Sequence, residues 1–280
     1  MRTLVRRGLR PLLVLTLAVG LLGGCWPSVG TNFADPGPYG TAIISDADHT
    51  FFYPTPLRDD GTGIKHPVIV WGNGTFLTPM NYEGLLRHFA SHGFIVAAAN
   101  TTNAGSGNEM IAGLDKLAGY DATPGHVFHD KVDLTMVATM GHSQGGLGAT
   151  NAARDPRVRT VVAIQGAGGD LSSYDGSVLF LSGSADTIVP SGAIQSLYEQ
   201  VAGRIPAAYG DLAGADHFQP IGNGNAYRGH LTAWVRWQLM HDRIAGNQFV
   251  GECAYCDNPL WTTYLTNPQL RAMAPGTPGS

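Results

Sequence analysis

The apolar and polar positions change period several times along the chain. Thr41-Ala-Ile-Ile-Ser45 and Thr50-Phe-Phe-Tyr53 are short runs of strand-forming residues. Pro67-Val-Ile-Val-Trp71 is a continuous apolar run closed by Gly72 and Gly74, the pattern of a buried strand entering a loop. Thr78-Pro79 supplies an N-cap followed by proline in the first helical turn. Tyr82, Leu85, Leu86 and Phe89 then recur at i, i+3, i+4 and i+7, which predicts an amphipathic helix. Further strands are expected at Phe94–Ala98, Met136–Met140, Thr160–Ile164, Val178–Leu181 and, as the last, Ala207–Asp211. Helices are expected at Met110–Leu117, after Ser143, at Ile194–Val201, and in a closing segment carrying Leu231, Trp234, Val235 and Leu239. Strands alternating with helices predict an α/β fold, with a mostly parallel central sheet covered by helices on both faces. Right-handed crossovers place the functional loops at the carboxyl edge of such a sheet.

The N-terminus falls outside that pattern. Arg2, Arg6, Arg7 and Arg10 precede an apolar run from Leu12 to Leu22, too short for a comfortable membrane span, and together they form an export signal. The run ends in Leu22-Gly23-Gly24-Cys25, which resembles the bacterial lipobox. On this reading residues 1–24 are a lipoprotein signal peptide and Cys25 carries the lipid. The catalytic domain then lies outside the cytoplasm, tethered to a bacterial cell membrane by acyl chains. Residues 25–40, rich in Gly and Pro, are expected to be a tether, 41–272 one domain, and 273–280 a flexible tail.

Composition narrows the partners. The chain has 280 residues, 44% hydrophobic and 14% charged, which suits one sizeable core. Taking the leader's four arginines from 17 Lys and Arg, against 21 Asp and Glu, moves the net charge from −4 to −8. Nucleic acid is therefore not an expected partner, and a monomer is the expected state. With Cys25 lipidated, Cys253 and Cys256 remain, and export predicts a short disulfide between them. His126 and His129 are assigned to a solvated loop, because no ligand set surrounds them beyond Asp130. No metal is expected. Trp234 and Trp237 are expected in the core and on the helix surface respectively.

Gly141-His142-Ser143-Gln144-Gly145 carries the candidate chemistry. Five residues of this kind arise readily in a chain with 38 glycines; their setting between an apolar strand and a small-residue helix is the informative part. A tight turn there lifts the serine hydroxyl out of the sheet, above a helix N-terminus that favours developing negative charge. The hydroxyl needs a base. His217, in Ala213-Gly-Ala-Asp-His217-Phe, lies after the last expected strand, and Asp186, in Ser184-Ala-Asp186-Thr-Ile-Val-Pro190, follows an earlier one. The order Ser, Asp, His is that of a hydrolase triad in which Asp186 orients His217; Asp175 and Asp216 are rival acids. The oxyanion hole requires two backbone N–H groups: that of Gln144, and that of Thr75 or, failing it, Phe76. Phe76, His142 and Gly169 are expected to contact substrate, with local packing the other reading of His142, which fills a variable position of the motif.

These residues resemble bacterial cutinase-like polyester hydrolases, including polyethylene-terephthalate hydrolases of the α/β-hydrolase superfamily. The resemblance spans roughly residues 50–237. It rests on Phe52-Tyr-Pro54, Gly74 to Phe94 with Ala90-Ser-His-Gly-Phe94, the Ser143 motif, Ser184 to Pro190, and Gly214-Ala-Asp-His-Phe218. It implies an α/β-hydrolase fold without a large lid, ester cleavage through an acyl-enzyme at an open groove, and no cofactor. Three positions depart from the family pattern. Gln144 replaces a methionine, Thr75 replaces an aromatic, and Ala167-Gly-Gly-Asp170 replaces a tryptophan-bearing segment. The catalytic machinery carries over and the aromatic polyester specificity does not. A chlorophyllase-like or lipid acetyl-ester hydrolase is the alternative on this fold; a non-catalytic lipid-anchored binding protein is the alternative from another class.

Overall fold

The computed structural model describes residues 26–276 apart from 28 and 59–62. The expected signal peptide and Cys25 lie outside the described residues. The elements are β1 (Gly40–Ser45), β2 (His49–Thr55), β3 (His66–Gly72), α1 (Glu83–Ser91), β4 (Ile95–Ala99), α2 (Asn108–Asp121), β5 (Val132–His142), α3 (Gln144–Ala152), β6 (Val158–Ile164), β7 (Ser177–Gly183), α4 (Ser191–Val201), β8 (Ala207–Leu212), α5 (Arg228–Met240), α6 (Arg243–Gly246), β9 (Trp261–Thr266) and α7 (Pro268–Arg271). The sheet order is β1-β2-β4-β3-β5-β6-β7-β8-β9. Pairing is parallel from β4 through β3 and β5 to β8, and antiparallel at both ends. This is the architecture of an α/β-hydrolase fold.

Alternation along one strand explains the two covered faces. In β3, Ile69 and Trp71 join one core with Leu85, Leu86 and Phe89 of α1 and Leu231, Trp234 and Val235 of α5. Val68 and Val70 join the opposite core with Met110, Leu114 and Leu117 of α2, Ala149 of α3 and Ile194 of α4. Each fully buried Leu or Phe contributes about 1.5–3 kcal/mol relative to exposure. A 3-10 turn, Pro79–Tyr82, leads from Thr78 into α1.

Several expectations are corrected. Ala207–Leu212 is not the last strand: β9 adds antiparallel to it, with Tyr209 opposite Leu265. The Gly/Pro-rich tether is docked over its described residues. Phe33 is buried, His88 and His92 bond the carbonyls of Phe33 and Asp35, both at 3.0 Å, and Arg236 donates to the Pro27 carbonyl at 3.0 Å. Composition concealed this because a few apolar side chains, Trp26, Val29 and Phe33, and a set of backbone carbonyls hold the segment. The fold also continues past residue 272, since Met273 packs on the core. Trp237 is buried and stacked on Phe249 at 5.5 Å, because α6 and the segment after it cover that side of α5. Cys253 and Cys256 form the expected disulfide.

Candidate active site

The site grows from a close approach of glycine backbones. A Cβ on Gly145 would lie 2.0 Å from the Gly72 carbonyl oxygen, and one on Gly141 would lie 2.2 Å from the Gly145 oxygen. The first turn of α3 therefore sits directly against β3 and β5, and only glycine fits. Ser143 occupies the bend between β5 and α3 with φ 55° and ψ −120°. For a non-glycine residue this is a strained conformation, and the neighbouring strands impose it. Its N–H donates to Ile164 O at 2.9 Å, which ties the bend to β6.

The loops 184–190 and 213–227 leave the carboxyl ends of β7 and β8 and converge on this bend. His217 Nε2 lies 2.9 Å from Ser143 Oγ, and its Nδ1 lies 2.7 Å from Asp186 Oδ2. A carboxylate only accepts, so Nδ1–H donates to it, and Nε2 of the neutral ring accepts the serine proton. Asp186 Oδ1 also accepts from the backbone N–H groups of Ile188 and Val189, at 2.8 and 2.9 Å. The rival acids do not reach the ring. Asp175 is exposed just before β7, at the amino edge, and Asp216 Oδ1 accepts from Phe218 N.

His142 is not a substrate contact in this structure. It is buried beneath the His217 loop. Its Nε2 lies 2.8 Å from the His217 carbonyl, and its Nδ1 lies 2.7 Å from Tyr82 Oη. The carbonyl can only accept, so Nε2 carries the proton and Tyr82 donates to Nδ1. Tyr82 Oη in turn accepts from Gly74 N at 3.1 Å. One buried chain of hydrogen bonds thus links the Thr75 loop, the Ser143 motif and the His217 loop. Burial, foremost, lowers the His142 pKa to about 3, so the ring is neutral as this chain requires. Tyr82 was legible only as an apolar helix position; nothing in the sequence signals its hydroxyl.

The N–H groups of Thr75 and Gln144 donate to no group among the described residues, whereas that of Phe76 donates to Thr102 O at 3.3 Å. This leaves Thr75, and not Phe76, free to face an oxyanion. The Gln144 side chain folds toward Gly105, and its Oε1 is buried without a partner. Gly169 is displaced from the site. It lines a cavity of about 290 Å³ with Leu197 and Arg204 and abuts Thr150, roughly 10 Å along α3 from Ser143. Around the mouth, Phe76, Ile188 and Phe218 are 86%, 58% and 59% exposed. These exposed side chains leave the mouth open, and among the described residues no cluster of metal-ligating side chains is present.

Comparison with known proteins agrees with this geometry. The family described as PET hydrolase-like matches residues 36–259. The bis(hydroxyethyl) terephthalate hydrolase of Streptomyces coelicolor is 26% identical over 87% of this chain and 76% of its own length. Cutinase est1 of Thermobifida alba is 26% identical over 67% of this chain and 63% of its own length. Cutinase 1 of Thermobifida cellulosilytica is 24% identical over 67% of this chain and 71% of its own. With an open mouth at the carboxyl edge of an α/β sheet, and with relatives named for ester cleavage, the chain belongs to the PET hydrolase-like family of carboxylic ester hydrolases.

Proposed function

We propose that Ser143, His217 and Asp186 form a catalytic triad that hydrolyses carboxylic esters through an acyl-enzyme. Ser143 Oγ attacks the ester carbonyl while His217 Nε2 takes its proton. The N–H groups of Thr75 and Gln144 hold the resulting oxyanion. Nε2 returns the proton to the departing alcohol, leaving an acyl-serine. Water then attacks this ester, giving a proton to Nε2, which passes it to Ser143 Oγ as the acyl–oxygen bond breaks and the acid departs. The observation that carries this reading is the unbroken line from Ser143 Oγ through both imidazole nitrogens to Asp186 Oδ2, with bonds of 2.9 and 2.7 Å. Replacing Ser143 with Ala is expected to abolish hydrolysis of p-nitrophenyl butyrate and labelling by a fluorophosphonate; full activity of this variant would refute the assignment.

The substrate reading is narrower than the family name. Exposed Phe76, Ile188 and Phe218 suit an apolar ester or polymer chain lying across the mouth. Thr75 and Gln144 present no aromatic or methionine surface on the oxyanion side. Parallel assays on short-chain, long-chain and polymeric esters test this, with aromatic polyesters expected to be the poorest.

For the export and lipid anchor at Cys25, the support is the leader and the site of docking. Trp26 packs 5.6 Å from His66 at the amino end of β3, and β3 spans roughly 20 Å to the catalytic edge. A lipid on Cys25 would hold the domain by the edge opposite its mouth, facing substrate away from the membrane. This disfavours the alternative of a lipid acetyl-ester hydrolase. Membrane fractionation of the Cys25→Ala variant tests the anchor. Among the described residues no helix is long and apolar enough to cross a membrane.

A further inference from the structure

Gln165 has no part in the mechanism above, yet it touches both loops that carry it. It follows β6 directly, is fully buried, and holds φ at 47°. Its backbone N–H donates to Leu181 O at 2.7 Å, fixing it between β6 and β7. The two hydrogens of its amide go to different places. Nε2 donates to Asp186 Oδ2 at 3.0 Å and to the Asp216 carbonyl at 2.7 Å. The first acceptor is on the acid's loop; the second immediately precedes the base. Rotating the amide would aim its oxygen at two groups that only accept, so the orientation is forced. The consequence is a buried Oε1 with no partner, an unfavourable arrangement that a merely space-filling glutamine would avoid.

We propose that Gln165 is a positioning residue for ester hydrolysis, clamping the Asp186 loop to the His217 loop and sharing the carboxylate oxygen on which His217 is oriented. This rests on the triad reading above. Because Nε2–H and His217 Nδ1–H meet on the same Oδ2, removing the amide leaves that oxygen to the ring alone. The other titratable groups facing His217 are His142 of β5, with ring centroids 4.9 Å apart and held neutral by burial, and Asp216, whose carboxylate is turned to Phe218 N.

Two variants test the proposal. Gln165→Met keeps the length and removes both donors; Gln165→Glu keeps the shape and sets a second carboxylate beside Asp186. For each, kcat, KM, the pH profile of kcat/KM on p-nitrophenyl butyrate and the melting temperature are measured. Both variants are expected to lose about tenfold or more in kcat, the effect of one lost hydrogen bond to a charged group, with KM little changed. The acid limb of the profile is expected to move to higher pH, further in the Glu variant. A lower melting temperature with unchanged kcat and an unchanged acid limb would show a purely structural role and overturn the proposal. If the Met variant does not fold, the Glu variant decides alone. Fluorophosphonate labelling of the unmodified protein separates the two levels: no labelling at Ser143 overturns the triad and this proposal with it, whereas labelling together with unaltered variants overturns this proposal only.

Discussion

Tyr82→Phe isolates the buried relay behind the base. The change removes one oxygen and little else, since the ring keeps its packing 5.0 Å from Trp71. Two buried groups then lose their partner: Gly74 N, which donates to Tyr82 Oη at 3.1 Å, and His142 Nδ1, which accepts from it at 2.7 Å. An orphaned buried polar group costs about 1–3 kcal/mol, so the pair predicts a loss of about 2–6 kcal/mol. For a domain of this size, at about 2–4 °C per kcal/mol, that is a fall of roughly 4–24 °C in melting temperature. Tyr227→Phe is the matched control. Its hydroxyl donates only to Ser182 O, at 2.8 Å, and Ser182 lies within the β7–β8 pairing. The control is expected to lose about 1 kcal/mol, the net value of one ordinary hydrogen bond. Differential scanning calorimetry of both variants, with kcat and KM on p-nitrophenyl butyrate, checks the reasoning. Tyr82→Phe is also expected to lower kcat more than it raises KM, because Gly74 precedes Thr75, whose N–H is proposed to hold the oxyanion. A melting temperature within about 1 °C of the unmodified protein, with kcat unchanged, would refute the relay.

Acid should destabilise the fold through its buried neutral histidines. Burial holds His142 and His230 at about 3 against an ordinary value of 6.5. Their contribution is complete above pH 6.5 and is lost progressively as pH falls from there toward about 3, because the unfolded chain takes up protons that the folded one cannot. Between pH 6.5 and 5 that is about 2 kcal/mol for each. Urea titrations across this range should show the slope, and His230→Phe should reduce it. Gly145→Ala should abolish folding or destabilise by more than about 3 kcal/mol, since its Cβ would meet backbone atoms at 2.0 and 2.2 Å; circular dichroism of a soluble, native-like variant would contradict the close approach.

What the sequence determined by itself was local. Apolar runs marked β3 and β5 to β8, the spacing of Tyr82, Leu85, Leu86 and Phe89 marked α1, and glycines around Ser143 marked the bend, because periodicity and turn chemistry are written in neighbouring residues. Motif order brought Ser143, Asp186 and His217 into one hypothesis without any distance. The missed elements depended on partners far along the chain. β9 lacks a clean alternation and is held by β8. The segment 26–39 has the composition of a linker, but buried His88 and His92 and the guanidinium of Arg236 capture its carbonyls. Tertiary structure alone decided which neighbours serve the site. It turned His142 from an expected substrate contact into a buried relay, moved Gly169 to another cavity, and, among the described residues, left the N–H of Thr75 rather than that of Phe76 without an acceptor. It also brought Gln165 to Asp186. These are contacts between loops leaving different strands of one sheet, and their geometry is set by how those strands pack, which no local run of residues encodes.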